Sequence, residues 1–86
     1  MSKQTVIKEE WTGDLCGYTI VEEFSPSSGK PLWSVGVITG GCLEWRKTID
    51  PSDLDYEEGV YRKSDLAAYR KRAINYLEYT ISEVLA

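Results

Sequence analysis

Residues 32–49 read Leu32-Trp33-Ser34-Val35-Gly36-Val37-Ile38-Thr39-Gly40-Gly41-Cys42-Leu43-Glu44-Trp45-Arg46-Lys47-Thr48-Ile49, and this stretch decides the fold. Its first half alternates, with Trp33, Val35 and Val37 on the inward side of a strand. The second half alternates again, with Leu43, Trp45, Lys47 and Ile49 on one face and Cys42, Glu44, Arg46 and Thr48 on the other. Between them Gly40-Gly41 signals a two-residue hairpin, because a type I′ turn needs positive φ at both central positions.

Toward the N-terminus, Ser25-Pro26-Ser27-Ser28-Gly29-Lys30-Pro31 is dense in residues that favour turns and cannot continue a ladder. Before it, Tyr18, Ile20 and Phe24 share a strand face that Glu22 interrupts, and Thr5–Trp11 reads as a first strand with Ile7 and Trp11 on one face. Toward the C-terminus, Ser64 is a candidate N-cap, with Asp65 placed favourably against the positive end of a helix. Leu66, Tyr69, Ala73, Leu77, Ile81 and Val84 then recur at spacings of three and four, widened by Ile74, Tyr76 and Leu85, while Lys71, Arg72, Asn75, Glu78 and Ser82 lie opposite. The pattern predicts one α+β domain over residues 1–86: an antiparallel meander of three to four strands (about 4–11, 17–24, 32–39 and 42–49), a connector at 50–59, and one long C-terminal helix (about 65–84) packed across the aromatic face of the sheet.

Composition agrees with a single folded core. The chain has 86 residues, 42% of them hydrophobic, with three Trp and six Tyr; at this size folding buries only about 60% of the unfolded surface, so the aromatics must carry much of the core. No apolar run reaches the length of a signal peptide or a membrane span, which makes the cytoplasm the expected address. Cys16 and Cys42 are far apart and form no ligand set, so free thiols in a reducing compartment are expected, although strand ends are places where neighbouring chains can approach bonding distance.

Several chemistries fail on residue type. There is no His, which removes the commonest general base and zinc ligand, and two Cys do not complete a tetrahedral site. Carboxylate neighbours such as Glu9-Glu10, Glu22-Glu23 and Glu57-Glu58 point apart on a strand. The Ser28-Gly29-Lys30-Pro31 turn lacks both the leading Gly and the following Ser or Thr of a phosphate loop. Asp53, Asp55, Glu57 and Val60 fall near calcium-loop positions, but Glu58 stands at the sharp turn and Ser64 at the bidentate position. The expectation is a protein without enzymatic activity, metal or cofactor.

What remains is charge. Residues 50–59, Asp50-Pro51-Ser52-Asp53-Leu54-Asp55-Tyr56-Glu57-Glu58-Gly59, hold five carboxylates and no base, within a chain of formal charge -4. Such a run is either a solvated connector or a surface for a cationic partner. Asp53, Asp55, Glu57 and Glu58, with Tyr56 as aromatic anchor, are the candidate binding residues for a protein with a basic surface. In size and charge the chain resembles small phage-encoded inhibitors of nucleic-acid enzymes, anti-CRISPR and anti-restriction proteins among them. That resemblance implies an acidic protein-binding module.

An alternative comes from layout. Gly17-Tyr18-Thr19-Ile20, the Ser-Gly-Lys turn, Trp33-Ser34-Val35-Gly36-Val37, the Gly-Gly hairpin and Leu66-Ala67-Ala68-Tyr69 together resemble, over residues 17 to 80, the three-strand-plus-helix arm-binding domains of tyrosine recombinases. This implies a nucleic-acid-binding accessory domain that uses the open sheet face with Arg46, Lys47, Arg70, Lys71 and Arg72. Glu22, Glu23 and Glu44 depart from the basic sheet of those domains. A third reading is a structural subunit, a homodimer for instance, joined through an edge strand.

Overall fold

The computed structural model describes residues 3–54 and 63–85. Four strands follow one another, β1 (Gln4–Trp11), β2 (Cys16–Phe24), β3 (Pro31–Thr39) and β4 (Cys42–Ile49), then 3₁₀ turns at Pro51–Asp53 and Lys63–Asp65 and the helix α1 (Leu66–Leu85). The strands pair in sequence order, each antiparallel to the one before. This is the α+β meander with a C-terminal helix that the alternation and the helical stripe predict.

Turn chemistry works as the residues dictate. Gly40 and Gly41 both take positive φ, 60° and 82°, closing β3 onto β4. Gly29 at φ 72° lets the Ser25–Lys30 loop close through Ser25 N–H to Lys30 C=O at 2.9 Å. Ser64 and Asp65 lie inside a 3₁₀ turn that runs straight into α1, so the α-helix begins at Leu66 rather than directly after a Ser64 cap.

The helix and the sheet are matched in length but not in width. Twenty residues of helix and nine of strand both span about 30 Å, whereas one helix, about 10 Å across, covers only the two central strands. Under α1 lie Tyr18, Ile20, Trp33, Val35, Val37 and Ile49, capped by Tyr69, Ala73, Leu77 and Ile81. Leu54, from the connector, plugs into the same core. The Val84 and Leu85 side chains lie outside the described residues. On the flanks, beyond the helix backbone but within reach of its side chains, the same sheet face carries Lys8 and Glu10 on β1 and Glu44 and Lys47 on β4, as the registers require.

Two tryptophans expected beneath the helix are on the other side. Plain alternation puts Trp11 with Ile7, and Trp45 with Lys47 and Ile49, but each edge strand contains a bulge: Ile7 is the extra residue between Val6 and Lys8, and Arg46 lies in the register shift opposite Val35 and Gly36. One inserted residue reverses the facing of everything beyond it. Ile7 and Lys8 therefore stay on the helix side while Trp11 crosses over, and Lys47 and Ile49 stay while Trp45 and Leu43 cross. Of the three tryptophans only Trp33, fully buried, packs under α1.

Candidate functional site

Polar side chains tie the helix to the sheet. Glu22, the acid that breaks the apolar alternation of β2, is buried on the helix side and accepts three hydrogen bonds: from the Trp33 indole at 2.9 Å and from Arg70 Nε and Nη2 at 2.7 Å each. Burial alone pushes its carboxyl up, and the bonds from Arg70 and Trp33 together with the guanidinium charge outweigh this and hold it below the usual value. At the β1 flank, Tyr18 Oη lies 2.8 Å from Glu10 and 2.7 Å from Glu78, and Lys8 pairs with Glu78. Glu78 thus faces the sheet edge rather than the solvent side of the helix.

The residues read as sites separate into described and undescribed sets. Asp53 is committed to the turn after β4, where its carboxylate accepts the Asp50 N–H at 2.9 Å while Asp50 accepts the Ser52 N–H at 3.0 Å, a reciprocal cap. Asp55, Tyr56, Glu57 and Glu58 lie outside the described residues, as does Arg62. Of the alternative basic set, Arg46 is 3.6 Å from Glu44, Lys47 sits 5.7 Å from the Tyr76 ring centroid, Arg70 holds Glu22, and Arg72 reaches the Leu54 carbonyl at 3.4 Å. Lys71 is exposed on the helix. Two of these bases belong to β4 and three to α1, and each of the four contacts turns its base toward a different neighbour.

Cys16 and Cys42, both exposed and free, are each register partners of Thr39 from opposite sides. Two strand spacings, about 10 Å, separate them, beyond the ~7 Å at which a disulfide closes. The Ser-Gly-Lys turn lines a cleft of about 330 Å³ with Ser25, Ser28, Lys30, Asp50 and Ser52. Among the described residues no group of three or more His, Cys, Asp or Glu is placed to hold a metal ion.

The feature that sequence reading missed is the sheet face turned away from α1. The registers lay it out in rows: Trp11, Gly17, Ile38, Leu43; then Glu9, Thr19, Gly36, Trp45; then Val6, Val21, Ser34, Thr48; then Gln4, Glu23, Leu32. Trp11 and Trp45 keep 49% and 46% of their surface exposed, and Val6 and Leu43 about half. Both indoles lean inward over glycines. A β-carbon on Gly17 would stand 3.0 Å from Trp11 Cε3, and one on Gly36 3.0 Å from Trp45 Cε3 and 2.6 Å from Leu43 Cδ1. The rings cover the floor, so Thr19 and Val21 are buried although they face away from α1. Beneath this cover the Thr19 hydroxyl has no hydrogen-bond partner.

Glu9 and Glu23 are the charged residues of these rows, and the Trp11 indole N–H donates to Glu9 at 3.0 Å. The sequence did carry a signal for this face. Alternation without bulges would bury Glu9 between Ile7 and Trp11 and Lys47 between Trp45 and Ile49, and glycines inside strands mark bulges or close approach.

Fold and face together define an α+β meander with α1 packed on one sheet face and, on the other, a half-exposed aromatic and aliphatic surface with Glu9 beside Trp11. The chain matches no family model, no curated protein and no solved structure. No described helix is long and apolar enough to cross a membrane.

Proposed function

We propose that this chain is a non-enzymatic protein-binding module that masks a basic, nucleic-acid-contacting segment of a partner protein, in the manner of a phage-type inhibitor. The observation that carries this reading is the sheet face turned away from α1, where two half-exposed indoles lie, Trp11 beside the Glu9 carboxylate. Exposed Trp is a frequent anchor of binding energy, and acids around an apolar centre attract a cationic partner and repel phosphates. The net charge of -4 works in the same direction over longer range. Glu9 adds a carboxylate at the aromatic face to those of the acidic connector, Asp53, Asp55, Glu57 and Glu58, which remain part of the proposed cation-binding surface.

The test is capture of partners from a cell extract by the wild-type chain and by a Trp11→Ala/Trp45→Ala variant, followed by nucleic-acid binding assays on what is captured. Support consists of a partner lost with the double variant whose nucleic-acid binding the wild-type chain blocks. Direct, salt-sensitive binding of DNA or RNA by the chain itself would overturn the reading, as would a partner held equally well by the double variant.

A further inference from the structure

The uncovered face is small and regular enough to specify its occupant. Its three aromatic and aliphatic rows, spread over four strands, occupy about 20 Å each way, roughly 400 Å². Two copies meeting through it would bury about 800 Å² in total, short of the roughly 1,200 Å² of a stable interface. A short cationic segment fits both the area and the charge.

Spacing sharpens the choice. The six-membered rings of Trp11 and Trp45 rest over Gly17 and Gly36, which are not paired with each other: Gly17 pairs with Ile38, Gly36 with Thr19. They are therefore diagonal neighbours on adjacent strands, about 7–8 Å apart. In an extended peptide, side chains two residues apart point the same way and stand about 7 Å apart. Guanidinium groups stack flat on indole faces, Trp being the best ring for a cation, and Glu9, beside Trp11 on the same strand, offers a carboxylate to the group above it.

Resting on the proposed binding function, we infer that this face reads an Arg-X-Arg segment in extended conformation, one guanidinium over each indole. X points away from the sheet. Glu9 neutralises the guanidinium over Trp11.

The experiment is an NMR titration of the three indole N–H signals with capped peptides: Ala-Arg-Ala-Arg-Ala, its citrulline counterpart, and Ala-Arg-Ala-Ala-Ala-Arg-Ala. The first should move the Trp11 and Trp45 signals and leave buried Trp33 in place, binding about tenfold tighter than the citrulline peptide and severalfold tighter than the wider spacing. Trp11→Ala and Trp45→Ala should each weaken it about fivefold to tenfold, with the Trp33 signal reporting an intact fold, and Trp→Phe should weaken it less. Equal binding of the citrulline peptide, equal binding by either Trp→Ala variant, or movement of the same signals with protein concentration alone or with an oligonucleotide would overturn the inference. Failure with these peptides while the double variant still loses its captured partner removes the Arg-X-Arg specificity and leaves the protein-binding role standing.

Discussion

Arg70 on α1 grips Glu22 on β2 with two parallel hydrogen bonds of 2.7 Å, joining residues 48 positions apart in sequence. The carboxylate is buried and also takes the Trp33 indole N–H, so the pair orients the largest core side chain as well as docking the helix. Removing one partner of such a pair leaves a charge buried without compensation, at about 3–5 kcal/mol when both are dry. With the Arg70 side chain 38% exposed, water screens part of that. Arg70→Ala should cost about 2–3 kcal/mol in urea unfolding, and Glu22→Gln, which keeps an acceptor for Trp33, about 1–2 kcal/mol.

Stability should fall at both pH extremes for identifiable reasons. The carboxyls of Glu22, Glu78 and Asp50 are held below their usual values, by Arg70 and Trp33 against burial, by Lys8 and Tyr18, and by the Ser52 hydroxyl respectively. Their contributions are present above the unfolded carboxyl pKa, about 4.3 for Glu and 3.9 for Asp, and disappear as pH drops through the folded values. Tyr18 is pushed up, first by burial and then by Glu78 and Glu10. Its contribution is full below the unfolded phenol pKa of about 10 and is lost as pH rises further. Urea midpoints across pH should show a plateau between these limits, and Glu22→Gln should flatten the acid limb. An unchanged acid limb in that variant would assign the loss to the other carboxyls.

Thr19→Val should stabilise the protein. The swap keeps the branched shape that β2 packs beneath the indoles and removes a buried hydroxyl without a partner. A gain of about 1 kcal/mol is expected, read as a Tm increase of about 4–8 °C for a domain of this size. A loss on substitution would mean that the hydroxyl finds water.

The two strand glycines should respond differently to alanine. At Gly17 the new β-carbon would meet the Glu10 carbonyl oxygen at 2.4 Å and Trp11 Cα at 3.0 Å, backbone that the β1 ladder holds in place. Gly17→Ala should cost about 2–3 kcal/mol. At Gly36 the nearest atoms are the ends of Leu43 and Trp45, half-exposed side chains free to swing outward, and alanine recovers about 0.5–1 kcal/mol of chain entropy. Gly36→Ala should be near neutral in stability, and the displaced Trp45 ring should weaken arginine-peptide binding.

Local chemistry was legible in the chain. Alternation over 32–39, paired glycines at 40 and 41, and a gap-free apolar stripe from Leu66 each state a backbone preference that needs no partner to be expressed, and the meander with its helix follows from them. The absence of His, and with it the commonest base and metal ligand, was equally plain. Which way each edge strand faces was not legible, because it depends on a competition across the whole sheet. One helix backbone covers two strands, so the edge positions beside it accept Lys8, Glu10 and Lys47, and bulges at Ile7 and Arg46 turn Trp11 and Trp45 to the open side. Residue types and spacings are properties of the chain; the face on which a side chain ends up is decided by what the rest of the fold has room to cover.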